Sequence, residues 1–268
     1  MTLLANLVLV FIAGLITALA TGIGALPFFL VKDVNDRWNV GLWGLASGIM
    51  VSASVFGLIS EGLSSANGGS VIGVVIGMLV GVALVVVSDY VISGTDVNPK
   101  KYEQADFKKL ILILGVLTVH SFPEGVAIGV SFADLGFQGG YQFAGFVVPL
   151  LAIFMTIAIS IHNIPEGVAI SIPLHSMGVR KWRMVWWSIF SSLPQPIGAV
   201  IAFYFVRSAR AFLPMGFGFA AGAMIYLVLS EFIPEALEVG EGLPGDGYRE
   251  LLSGLTLGVL LMLPLAFI

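Results

Sequence analysis

Long apolar runs separated by short polar stretches fill most of this 268-residue chain. A membrane-crossing helix needs about 20 mostly apolar residues. Eight runs reach that length, roughly 3–30, 41–63, 71–93, 109–132, 146–173, 185–206, 212–237 and 250–268. They are too long for barrel strands. The pattern predicts an all-α integral membrane protein with eight transmembrane helices in one domain over residues 1–268. No basic residue precedes Lys32, so the first run reads as a membrane helix and not as a cleaved signal.

The polar breaks carry a sidedness signal. All twelve Lys and Arg fall in loops or at helix ends. Lys32, Arg37, Lys100, Lys101, Lys108, Lys109, Arg180, Lys181, Arg183 and Arg249 share one side, and Arg207 and Arg210 lie on the other. An excess of basic residues marks the cytoplasmic side. Both termini are then extracytoplasmic, and residues 94–108 form the longest cytoplasmic loop.

The runs also repeat. An offset of 174 residues aligns Ile23-Gly24-Ala25 with Ile197-Gly198-Ala199, and Gly44, Ala46, Gly48 and Met50 with Gly218, Ala220, Gly222 and Met224. Glu61 aligns with Glu235 at the same offset, and Gly77 and Gly81 align with Gly254 and Gly258 at 177. Units separated by five spans point opposite ways across a bilayer. Spans 1–3 and 6–8 thus read as an inverted repeat around a central pair, a 3+2+3 arrangement. Inverted repeats are common in secondary transporters, whose sites lie near the bilayer midplane.

The central pair carries the chemistry. Residues 120–128 read His-Ser-Phe-Pro-Glu-Gly-Val-Ala-Ile, and residues 162–170 read His-Asn-Ile-Pro-Glu-Gly-Val-Ala-Ile. A four-residue step stacks His120 over Glu124, and His162 over Glu166, on one helix face. Pro123 and Pro165 lack an N–H, which frees the carbonyls of Val119 and Ile161. Ionisable side chains at membrane depth point to function. One divalent cation with two carboxylates and two neutral imidazoles sums to zero charge, and a neutral cluster is far cheaper to bury than a bare ion. Ligands must shed their protons to take up the metal, so loading would release protons.

Composition narrows the reading. Hydrophobic residues make up 58% and charged residues 10% of the chain, with a mean hydropathy of +1.02. Soluble domains are nearer a quarter charged. Cysteine is absent, which removes disulfides, thiolate metal sites and cysteine nucleophiles. Nothing in the charge pattern suggests a nucleic-acid partner. Neither motif is His-Glu-Xaa-Xaa-His, so a zinc protease would lack its general base at the expected place.

At these residues the chain resembles the ZIP (Zrt/Irt-like) family of divalent metal transporters, in its bacterial GufA-like branch. The resemblance extends to Ser-Leu-Pro-Gln-Pro-Ile-Gly-Ala (192–199) and Ser-Glu-Phe-Ile-Pro-Glu-Ala (230–236). It implies a metal site between the fourth and fifth helices built from His120, Glu124, His162 and Glu166. It also implies a neighbouring site, found in some members, on Ser121, Asn163, Glu166 and Gln195. Ser121, Asn163 and Gln195 are neutral here, so one strong site and a weak or transient second one are expected. The cytoplasmic loop of family members often is His-rich, whereas residues 94–108 contain no His.

The leading expectation is a transporter that moves divalent transition metals into the cytoplasm by alternating access, through a bacterial inner membrane. Zinc comes first, and Fe, Mn, Co and Cd are further candidates for an imidazole-carboxylate site. No prosthetic group is expected. The partners are the cation and the lipid bilayer, and Gly-rich faces are compatible with a homodimer. Glu231 is placed on the exit path; Glu235, one turn on, lies on that path or simply at the interface, and Glu61, near the outer end of the second span, is either at the entrance or plainly solvated. His175 is read as a solvated loop residue. A membrane-embedded metallohydrolase and a metal-sensing receptor are the alternatives.

Overall fold

The structure is a computed structural model, and it describes residues 2–30, 35–64, 71–93, 121–137 and 140–267. The helices among them are α1 (Leu3–Ile23), α2 (Asp36–Ser52), α3 (Ser60–Ser64), α4 (Val71–Ser93), α5 (121–131), α6 (Leu150–Ser176), α7 (Lys181–Ser191), α8 (Pro194–Ser208), α9 (Leu213–Leu227), α10 (Ile233–Gly240) and α11 (Tyr248–Met262). Among the described residues, six stretches are long and apolar enough to cross a bilayer: Leu3–Phe29, Asp36–Ser64, Val71–Ser88, Leu150–Ile172, Lys181–Ser208 and Arg210–Gly240. The protein is therefore a mostly helical integral membrane protein.

Several expected spans differ in detail. Half of the fourth, residues 109–120, and with it the loop 94–108, lies outside the described residues. The fifth begins at Leu150, not 146, because strands β1 (Tyr141–Phe143) and β2 (Phe146–Val148) form an antiparallel hairpin ahead of it. The sixth is interrupted at Ser192-Leu193. Pro194 and Pro196 cannot donate a helical hydrogen bond, so α7 ends and a new helix starts on Pro194. The eighth is 15 α-helical residues followed by a 3-10 turn, Leu263–Phe267. His175 is not in a loop: it sits in the last turn of α6, half-buried, with its ring 5.4 Å from that of Phe28.

Two spans widen into π-helical turns, Ala53–Ile59 between α2 and α3, and Val228–Phe232 between α9 and α10. The second runs directly into Pro234, which has no N–H to offer the carbonyl four residues back. Such turns are frequent at functional sites.

Glycine sets how the helices meet. α2 lies along α11, and α4 along α9. A methyl group on Gly44 or Gly48 would strike the carbonyl of Leu251 or Leu255. On Gly218 or Gly222 it would strike that of Val74 or Met78. These contacts leave room only for backbone against backbone. A second set forms where α1 packs against α6, α7 and α8. There, a methyl on Gly24 meets the Ile164 carbonyl and one on Gly167 meets that of Thr21. A methyl on Gly198 meets the Phe122 carbonyl and one on Gly125 meets that of Gln195.

Candidate metal centre

α5 and α6 each bring one motif to the middle of the second set. Pro165 does not break α6, which runs unbroken through it, so His162 and Glu166 keep the one-turn spacing that places them on one face. Glu124, His162 and Glu166 are 2%, 0% and 3% exposed. Each offers one ligand atom, and these atoms lie within 4.8 Å of one another. His162 Nε2 is 3.2 Å from Glu124 Oε1. Two carboxylates this close and this deep cost several kcal/mol unless a counter-charge joins them. Glu166 Oε2 has no hydrogen-bond partner among the described residues. The donor set, hard carboxylate oxygens with an imidazole nitrogen, is one that zinc and its neighbours accept.

His120, expected beside them, lies outside the described residues. Ser121 is fully buried at the described start of α5. Asn163 and Gln195 reach the centre and are engaged with each other. Asn163 Nδ2 donates to Thr17 O at 2.7 Å and to Gln195 Oε1 at 3.0 Å. Thr17 Oγ1 lies 2.7 Å from the same Gln195 oxygen. Gln195 Nε2 then donates to Glu124 Oε2. The break before α8 allows this, because it puts Gln195 in the first turn of a fresh helix, beside Glu124. Glu231 falls on the π-helical turn, half-buried, and does not join the three-residue group.

Three neighbours of the centre escaped sequence reasoning. Thr17 is a lone hydroxyl in an apolar helix, fully buried. Phe232 stacks on the His162 ring at 5.3 Å and 23°, and Trp43 packs behind it at 4.9 Å and 53°. Single aromatic residues among many apolar ones carry no pattern that would select them. For Phe232, its place two residues before Pro234 in an otherwise helical run was the available clue.

A cavity of about 230 Å³ lies at another level of the bundle, lined by Glu61, Val130, Ser131, Asp134 and Phe217 among others. Asp134 there pairs with Arg210 at 2.9 Å.

Comparison with known proteins accords with this centre. The family model described as ZIP Zinc transporter matches residues 94–266. A relative from Arabidopsis thaliana is 38% identical over 223 residues, which is 82% of this chain, and the chain spans 33% of that protein's length. GufA of Myxococcus xanthus, a zinc transporter, is 28% identical over 262 residues, 95% of this chain and 96% of that one. ZupT of Chlorobaculum parvum, also a zinc transporter, is 31% identical over 268 residues, 92% of each. A family match over most of the chain, with a buried Glu-His-Glu group at the matching motifs, makes this chain a member of the ZIP zinc transporter family.

Proposed function

We propose that this protein carries divalent transition-metal cations, zinc first, through the membrane into the cytoplasm by way of Glu124, His162 and Glu166. The observation that carries the reading is the burial of two carboxylates and an imidazole, from two helices, within 4.8 Å of each other. A cation as cargo neutralises the two carboxylates, which is why the group is tolerable at that depth. His120 is proposed as a fourth ligand, on the strength of its duplicate position in the motif. We place one strong site here. The amides of Asn163 and Gln195 support this, since Asn163 Nδ2 donates to Thr17 O and Gln195 Oε1, Gln195 Nε2 donates to Glu124, and neither side chain brings charge for a second cation.

The eight-helix 3+2+3 reading is supported by the way the glycine contacts repeat. Gly24 meets Ile164 as Gly198 meets Phe122, and Gly167 meets Thr21 as Gly125 meets Gln195. Each pair of partners is related by the offsets of 174 and 42 residues found in the sequence. The π-helical turn Val228–Phe232 falls, shifted by 174, inside Ala53–Ile59. Spans 1–3 and 6–8 are then the inverted halves, and residues 94–108 the cytoplasmic loop. Arg37 beside Glu250, and Lys181 donating to Phe29 O, put basic residues at one end of the bundle. That end is the cytoplasmic one in this reading, with both termini opposite.

Alternating access requires two parts that move past one another around the site. The packing supports one division. α2, α4, α9 and α11 interlock through their glycines, while α5 and α6 carry the ligands and pack with α1, α7 and α8. The second set is the part we expect to move. A hydrolase is the less favoured reading, because the matching family model and the relatives GufA and ZupT are described as zinc transporters.

The test is zinc flux into proteoliposomes. The unsubstituted protein should take up zinc, and Glu124→Ala and Glu166→Ala should each abolish it. Wild-type uptake in both variants would refute the site.

A further inference from the structure

A metal-binding imidazole is normally held in place by a hydrogen bond from its second ring nitrogen. His162 lacks that device among the described residues. Its Nε2 faces Glu124, and its Nδ1 is buried with no hydrogen-bond partner. What fixes the ring plane is a face contact with Phe232, 5.3 Å between centroids and tilted by 23°. Phe232 is itself backed by Trp43 and is 8% exposed, as is Trp43. An aromatic pair of this kind is worth about 0.5–1.5 kcal/mol beyond its burial.

The chain positions of the three rings matter. His162 rides on α6, within the ligand-bearing set. Phe232 ends the π-helical turn before α10, and Trp43 lies on α2, both in the glycine-locked set. The stack therefore bridges the two sets at the ligand itself. Trp43 sits two turns into α2 from Asp36, and Phe232 two turns before the end of α10 at Gly240. The α2 end carries Arg37, and the α10 end leads through a short turn to Arg249 on α11, so Trp43 and Phe232 lie toward the end of the bundle that is cytoplasmic in the proposed orientation.

We propose that Phe232, backed by Trp43, is a positioning residue that orients the His162 imidazole for the cation and closes the site toward the cytoplasm. The stack has to separate when the ligand-bearing helices move, which makes release inward conditional on breaking it. The repeat mate of Phe232, at an offset of 174, is Leu58. The aromatic at this repeat position is thus present in one half only.

This inference rests on the transport reading, and the assay separates the two, because the unsubstituted protein must first move zinc. Phe232→Tyr, Phe232→Leu and Phe232→Ala would be compared in proteoliposomes. Tyr should keep a wild-type KM for zinc, whereas Leu and Ala should raise it about two- to tenfold, the fold-change that a lost ring pair corresponds to. The chain has no cysteine, so Val228→Cys, one turn deeper on the Phe232 side, provides a single thiol. A membrane-impermeant maleimide on the cytoplasmic side should label it several-fold faster once Phe232 is Leu or Ala, with labelling from the outer side unchanged. A merely structural role would loosen both sides or neither. Unchanged KM in the Leu variant, or labelling that rises equally from both sides or from neither, overturns the proposal. The Leu variant keeps the test open if Ala does not fold.

Discussion

The side-chain amide of Gln195 donates to Glu124 Oε2 while Glu124 Oε1 faces His162 Nε2 at 3.2 Å. One carboxylate oxygen is thus held by a neutral donor and the other is presented to the centre. Gln195→Ala removes that donor and strands Glu124 Oε2 in a buried site. Such a loss costs about 1–3 kcal/mol. The apparent melting temperature in detergent should fall, and zinc should recover part of the loss by binding the folded state.

Gln195→Glu tests the site count. It places a third carboxylate beside Glu124, where an amide now donates. Without metal the variant should be less stable than the parent. With zinc, titration calorimetry should show stoichiometry rising from one toward two. A stoichiometry of two strong sites in the unsubstituted protein would contradict the single-site reading.

Glycine positions that let backbones touch should be intolerant of size. Gly48→Leu, in the α2–α11 contact, and Gly222→Leu, in the α4–α9 contact, each drive a side chain into a carbonyl. Overpacking of this kind costs about 1–3 kcal/mol, and more where backbone is the obstacle. Both variants should lower thermal stability in detergent, and by similar amounts, since the two contacts correspond under the repeat.

The Arg210–Asp134 pair should matter little. Its side chains are 46% and 51% exposed, and such pairs contribute about 0–1 kcal/mol. Asp134→Asn should leave the melting temperature close to that of the parent.

Cation preference follows from the donors. Cadmium, cobalt and manganese should compete with zinc for uptake, because imidazole with carboxylate suits all of them. Calcium and magnesium should compete poorly, as they favour more oxygen ligands or retained water. Efficient inhibition by magnesium would argue against His162 as a ligand.

What the sequence disclosed follows from which forces leave a pattern. Val71–Ser93 agrees with its apolar run because length alone specifies a membrane helix. Glu124, His162 and Glu166 were visible because duplication makes an ionisable residue in an apolar run conspicuous. The hairpin before α6 was hidden in apolar residues that also suit a helix. Its turn uses Ala144 and Gly145 at positive φ, and only the glycine hints at that. Thr17 and Trp43 were illegible, and Phe232 nearly so, for a related reason. Their roles depend on which helices pack together, and neither the spacing of a lone threonine nor that of a lone aromatic encodes a partner on another helix.

The most direct measurement is the location and ligand set of zinc bound to the purified protein, from anomalous diffraction on zinc-soaked crystals together with X-ray absorption at the zinc edge. The account predicts one strongly held ion between α5 and α6, bound by oxygen and imidazole nitrogen from Glu124, His162 and Glu166. An ion held elsewhere, or a zinc-loaded protein in which these three side chains remain free of metal, would contradict it.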